Sequence, residues 1–389
     1  MDASRLGRYG ANSEAMPSVC LNMIVHDDAG IIEPCLASAR PFISAWAIVD
    51  TGSTDGTQDI VRRCLAGVPG ELIERPWKSL AHNRNEALAL AAPRAEFVLL
   101  LEPGEVLVAE PGFRLVTLAA DALRLRVKRG ELSCREPRIV RASLPWSYAG
   151  VASALLACPS PHTAGNLSGL TVHATQRNAI DAARLRQDAA MLEEALRAEP
   201  DDARSVFDLA QRYQDLGDTE RAIAMYERRA GMGGPTEEAW YALYQAAVLK
   251  ERAGRDRGAV VEAYLRAYGS RPRRAEPLCE LARYHRERGE WEIAHLFAKS
   301  AVAIARPDDP LFVQDSTYDW RSLDEYAVSA FHVGKIDESL ESTKRLLSCG
   351  TLPLEERARV EANKTLCLAR ADNAARAERN RRKRQRKGR

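Results

Sequence analysis

The sequence predicts an α/β domain followed by an all-α array of helix pairs, and three observations carry that expectation. Short apolar runs alternate with helically spaced segments from Val19 to Leu101. From Asp181 onward, Val, Ile and Gly-rich turns give way to Ala, Arg, Leu and Glu at helical period. In that second half, small residues, glycines and prolines recur at spacings of 35 and 37 residues. A chain of 389 residues suits two or three domains.

The α/β half is read element by element. Val19 to Val25 is the first strand, Ile31 to Ala39 a short amphipathic helix, and Ala45 to Val49 the second strand, closed by Asp50. Gly52, Ser53 and Thr54 form a polar turn, and a helix restarts with Thr54 or Asp55 as its N-cap. Glu71 to Glu74 is a short strand, Asn83 to Leu90 a helix, and Phe97 to Leu101 a central strand, apolar throughout. The alternation argues for a parallel sheet covered on both faces. Strand-like pieces at Ala122–Val127, Arg138–Val140 and Val151–Leu156 belong to the substrate side of the same domain.

The columns of the second half are regular. Pro200, Pro235, Pro272 and Pro307 are spaced 35, 37 and 35. Ala210, Ala247 and Ala282, Gly217, Gly254 and Gly289, and Ala222, Ala259 and Ala294 all share the spacings 37 and 35. Small residues recur where paired helices approach closely, glycine ends the first helix and proline the second. This is the tetratricopeptide pattern of about 34 residues per helix pair. A fourth, irregular unit is expected from Asp319 to Leu347, turning at Gly334. Such arrays make concave surfaces for polypeptides, and Tyr213, Trp240, Tyr241, Tyr244 and Tyr284 are candidates to line one; aromatics at helical spacing are otherwise core.

Composition bounds the rest. Hydrophobic content of 46% with 28% charged residues is that of a soluble globular protein. Nine Lys or Arg against one Glu between Arg376 and Arg389 put +8 there, which leaves the remainder at −6 against the chain's +2. The expected division is a flexible leader (1–16), the α/β domain (17–180), the repeats (181–370) and a disordered basic tail (371–389) able to contact polyanions. Eight scattered cysteines without a CxxC pair, no signal-peptide core and no transmembrane segment point to a cytoplasmic protein.

VDTGSTDGT, from Val49 to Thr57, resembles the nucleotide-binding turn of family 2 glycosyltransferases with the GT-A fold. Flanking residues resemble a bacterial branch in which that domain precedes tetratricopeptide-like repeats, and the resemblance runs from about Pro17 to Cys367. It implies a GT-A-like domain that moves a sugar from a nucleotide-sugar donor to a glycan or protein acceptor. It places Asp27 and Asp28 beside the nucleoside, Asp50 on the base, and Ser53 and Asp55 in the same turn. AHNRNEAL resembles the family's Ala-Arg-Asn helix start, where Arg84 meets a phosphate. Read from the residues alone, the turn is either a ligand site at the carboxyl end of a strand or a cap for its helix, and Arg84 either a phosphate contact or a surface arginine.

The resemblance also implies Mn2+ or Mg2+ at an Asp-Ala-Asp-Glu motif after the central strand. Here Glu102-Pro103-Gly104-Glu105 stands in its place, so Glu102, Glu105 and the His173 of VHAT are the remaining metal candidates; Gly104 has no side chain to ligate. In Trp146 to Leu155, Trp146, Tyr148, Gly150 and Val151 of the family's frame persist, while Ser153 and Ala154 replace its His-Glu pair. No catalytic residue is assigned. The sequence therefore supports either a glycosyltransferase or a non-catalytic relative that binds nucleotide or protein as a scaffold.

Overall fold

The computed structural model describes residues 17–116, 118–150, 154–174 and 182–387. The expected leader, Val151 and Ser153 lie outside the described residues. The chain forms two compact units, one of Met1–Gly130 with Cys134–Ile180, the other of Glu131–Ser133 with Asp181–Arg389. No helix among the described residues is long and apolar enough to cross a membrane.

The first unit is built on a mixed sheet. Its strands are β1 (Val19–Val25), β2 (Ala45–Asp50), β3 (Gly70–Glu74), β4 (Phe97–Leu100), β5 (Glu105–Ala109), β6 (Ala122–Arg129), β7 (Leu132–Arg141) and, beyond a small β8 (Ser147–Ala149) and β9 (Leu155–Ala157) hairpin, β10 (Ala164–Ala174). The order across the sheet is β3-β2-β1-β4-β7-β6-β10-β5. The first four strands are parallel, with α1 (Ile32–Ala39), α2 (Thr57–Cys64) and α3 (Leu80–Ala91) in their crossovers. β2 and β4 are buried along their whole length, as strands covered on both faces must be.

The expected parallel-rich sheet becomes mixed from β4 onward. β4 pairs β7 antiparallel, β10 pairs β6 parallel and β10 pairs β5 antiparallel. The crossover helices stop after α3, so the chain returns through tight turns instead; the one between β6 and β7 passes through Gly130 at φ +58. β5 and β10 lie where the sequence reading placed no strand. β10 is rich in Gly, Ser, Thr and Asn, and its register shifts between Asn166 and Thr171. Gly169, at φ +83, lies against the ring of Phe113, where a Cβ would collide. The α2 cap also differs from expectation: Gly56 is the N-cap, and Asp55 accepts instead from the amide and hydroxyl of Thr57.

The second unit is a tetratricopeptide-like solenoid. α4 (Ala182–Ala198) leads into the pairs α5 (Ala203–Asp215) with α6 (Thr219–Ala230), α7 (Thr236–Arg252) with α8 (Arg257–Ser270), and α9 (Glu276–Arg286) with α10 (Trp291–Val302). A π-helical turn at Thr317–Arg321 precedes α11 (Ser322–His332) and α12 (Ile336–Ser348), and α13 (Leu354–Lys387) follows. The columns explain the architecture. Ala210, Ala247 and Ala282 are fully buried, so neighbouring helices pack backbone to backbone. Gly217, Gly254, Gly289 and Gly334 all adopt φ between +67 and +81, the left-handed stop after each first helix. Side chains of Asp202, Asp218 and Asp256 cap the helices they precede.

Of the two readings of the five aromatic residues, core is the one observed: all are buried. Trp240 stacks on Tyr244 at 5.6 Å, and the Arg274 guanidinium lies 3.7 Å over the Trp240 ring, so these rings are core. The basic tail, expected to be disordered, continues α13 as far as Lys387. Arg, Lys, Ala and Gln are good helix formers, and extending an existing helix avoids the cost of nucleating one.

Because Ala282 is fully buried in a column of small residues, Ala282→Leu should lower stability by about 1–3 kcal/mol through overpacking, measured by urea unfolding of the full chain. Leu296→Ala, at a side chain 62% exposed, should change it by less than about 0.5 kcal/mol; equal effects would contradict the packing described.

Candidate functional site

Parallel strands β2, β1 and β4 end at the same edge of the sheet, which is where ligands sit in open α/β folds. The candidate residues divide there into two groups.

The first group joins the loops after β1 and β2. Asp27 takes φ +50, a left-handed conformation that aspartate tolerates. Its amide donates to Ser53 Oγ at 3.0 Å, and its carboxylate accepts the Thr54 amide at 2.7 Å. The Asp28 carboxylate accepts the His26 amide, and the Asp28 amide donates to Thr57 Oγ1 at 2.8 Å. Asp50 is wholly buried; it accepts Ser53 Oγ at 2.5 Å and the Ser53 amide, while Gln58 Nε2 donates to its other oxygen. Asp55 accepts the Ala29 amide at 2.9 Å as well as Thr57. Asp27, Asp28, Asp50, Ser53 and Asp55 are thus brought together, each bonded within the two loops. Burial acts to raise Asp55, but the Thr57 hydroxyl and the amides of Ala29 and Thr57 outweigh it and hold its carboxyl below the usual range.

The second group is a ladder of arginines and glutamates. Arg84, on α3, donates to Glu102 Oε1 at 2.6 Å and lies 5.3 Å from the centre of the Tyr148 ring. Glu105 gives both carboxylate oxygens to Arg138, at 2.7 and 2.6 Å, and neither side chain of that pair is more than 7% exposed. Arg138 also donates to Glu136 at 2.9 Å and to the Leu100 carbonyl at 3.2 Å; Arg129 bridges Glu136 and Glu105. Burial opposes the charge on Arg138, but Glu105, Glu136 and Glu102 outweigh it and hold the guanidinium protonated. Arg138, Glu136 and Thr57 were not singled out from the sequence. The available signal was an arginine next to the apolar Ile139 and Val140 in a strand-like piece.

His173 does not join Glu102 and Glu105 at one site. His173 pairs with Val106 across β10 and β5, so its side chain shares a face with Val106 and not with the adjacent Glu105. It is exposed, and its pKa is lowered first by burial of part of the ring and then by Lys128 and Arg126. A hard divalent ion wants about six oxygen ligands at about 2.0–2.6 Å. Glu105 is committed to Arg138 and Glu102 to Arg84, and Gly104 offers no side chain, so these residues do not fit Mn2+ or Mg2+. Among the described residues no group of three His, Cys, Asp or Glu side chains is placed to hold a metal.

No protein-family model matches the chain. It is similar to a TPR repeat-containing protein of Synechococcus elongatus, 27% identical over 316 residues, covering 75% of this chain and 76% of that protein. The covered share exceeds the second unit, which is little more than half of the chain, so the similarity reaches into the α/β unit. Among solved structures, MamA is 16% identical with a TM-score of 0.34, covering 46% of this chain and 86% of that one. A thermophilic TPR protein of Thermus thermophilus is 20% identical with a TM-score of 0.31, covering 46% and 91%. A tetratricopeptide repeat protein from Parabacteroides merdae is 16% identical with a TM-score of 0.36, covering 52% and 73%.

The Asp55 network makes a pH prediction. A carboxyl whose folded pKa lies below its unfolded value of 3.8 adds stability above that value and loses it as pH falls through the folded pKa. NMR titration should find Asp55 protonating below 3.8, and Thr57→Val should move it upward. An unshifted Asp55 in both proteins would contradict the network.

Proposed function

We propose that this chain is a docking scaffold whose helical repeats bind a polypeptide partner. One surface carries the reading. Leu265 on α8 stands exposed over an open groove of about 640 Å³ lined by Arg257, Val261, Glu262, Arg266 and His285. On α10, Ile293 and Leu296 are exposed as well. The chemistry suits a peptide with an apolar side chain for Leu265 and Val261 and a carboxylate for the exposed Arg266 guanidinium. The similarity to a TPR repeat-containing protein supports the same reading. We place the scaffold in the cytoplasm, where its eight cysteines would stay reduced.

Panning a random peptide library against the full chain should enrich apolar–acidic sequences. A synthetic representative should lose about tenfold or more in affinity to Leu265→Glu, by calorimetry, since losing about 1.4 kcal/mol is a factor of ten. No enrichment, or peptides indifferent to Leu265→Glu and Arg266→Glu, would remove the scaffold reading.

A second reading rests on the strand ends. In it the α/β unit takes a nucleotide-sugar donor, and the protein is a family 2 glycosyltransferase acting on a glycan or protein, as the resemblance implies. What supports it is the position of Asp27, Asp50, Ser53 and Asp55 at the carboxyl ends of β1 and β2. What weighs against it is that these groups already bond to one another. A nucleoside diphosphate that binds only the folded protein should raise the melting temperature, and Asp50→Asn should remove that rise. No rise with uridine, guanosine, adenosine, cytidine or thymidine diphosphate leaves the scaffold reading alone.

A further inference from the structure

We infer that Arg138 is a resident internal cation, held between Glu105 and Glu136 beside the turn where the resemblance puts a divalent ion, so that this end of the sheet works without a metal. Three strands and a loop contribute to the arrangement. Glu105 comes from β5, Glu136 and Arg138 from β7, Arg129 from β6, and Glu102 from the turn after β4. Glu105 is 4% exposed and Glu136 29%, and carboxylates drawn together in this way repel unless a cation sits between them. Here the cation is covalently part of the chain. Its two terminal nitrogens reach both oxygens of Glu105, one oxygen of Glu136 and the Leu100 carbonyl.

The backbone is fitted to this partner as well as the side chains. The Glu102 amide donates to Glu105 Oε2 at 3.0 Å, and the Glu105 amide donates to the Glu102 carbonyl at 2.9 Å. The turn containing Pro103 and Gly104 therefore closes around the Glu105 carboxylate and aims it at Arg138. Charge is balanced without a metal: Arg84, Arg129 and Arg138 face Glu102, Glu105 and Glu136. A planar guanidinium can satisfy a carboxylate with two parallel bonds, which a lysine in this place could not.

The inference is independent of whether any nucleotide binds, and it is tested by exchanging one cation for another. The melting temperature of the wild type should be the same with millimolar Mn2+, Mg2+ or neither. Arg138→Ala removes the buried cation and leaves Glu105 and Glu136 with only the half-exposed Arg129 between them. That variant should melt lower and regain at least half of the loss in Mn2+, with no comparable effect of K+. Glu105→Gln combined with Arg138→Ala removes the repulsion and should show no response to Mn2+. If Arg138→Ala does not fold alone, it should refold in Mn2+. A wild type stabilised by Mn2+ would overturn the inference. So would an Arg138→Ala protein that no divalent ion restores, and so would restoration that persists in the double variant.

Discussion

A carboxylate removed from water must find a partner, and that requirement shapes both ends of this chain. In the α/β unit, β2, β1 and β4 run parallel, so their acidic termini arrive at one edge together. Asp50 and the neighbouring aspartates are satisfied by amides and hydroxyls of the two loops. Glu102, Glu105 and Glu136 are satisfied by guanidinium groups. The first solution ties loop to loop, since Asp27, Asp28 and Ala29 on one side meet Ser53, Thr57 and Asp55 on the other. The second ties β5 to β7 and to the turn after β4. Breaking a buried ion pair from one side typically costs about 3–5 kcal/mol, which makes the ladder a strong constraint on the local fold.

The solenoid meets the same requirement with different geometry. Arg274 and Glu276 are fully buried and paired at 2.7 Å, with Asp309 on the same guanidinium and the Trp240 ring beneath it. Arg229 and Glu238 form another interior pair. These ion pairs and the small-residue columns occupy the inner helix faces. The exposed apolar side chains of α8 and α10 are left on the surface, and the scaffold reading depends on them.

Much of this was legible in the sequence because local signals agreed. VCLNMIV and FVLL are strands whose length and burial follow from apolar content alone. The glycine and alanine columns located the helix pairs, down to Gly334 in the irregular fourth one. The strand-end cluster was legible too, since Asp50, Ser53 and Asp55 fall on one turn. What could not be read was set by long-range pairing. β10 is weak in strand formers and holds its place through β6 and β5. Glu105 looked like a free carboxylate because its partner lies 33 residues away on β7. The aromatic residues fitted either a groove or the core, because helical spacing does not say which face is covered.

The most direct test of a site filled from within is a crystal structure of the wild-type chain grown in Mn2+, with anomalous diffraction recorded at the manganese absorption edge. Arg138 should stand in two parallel bonds to Glu105, with no anomalous peak within bonding distance of Glu102, Glu105 or Glu136. A manganese peak between those carboxylates, with Arg138 turned away, would contradict a resident internal cation.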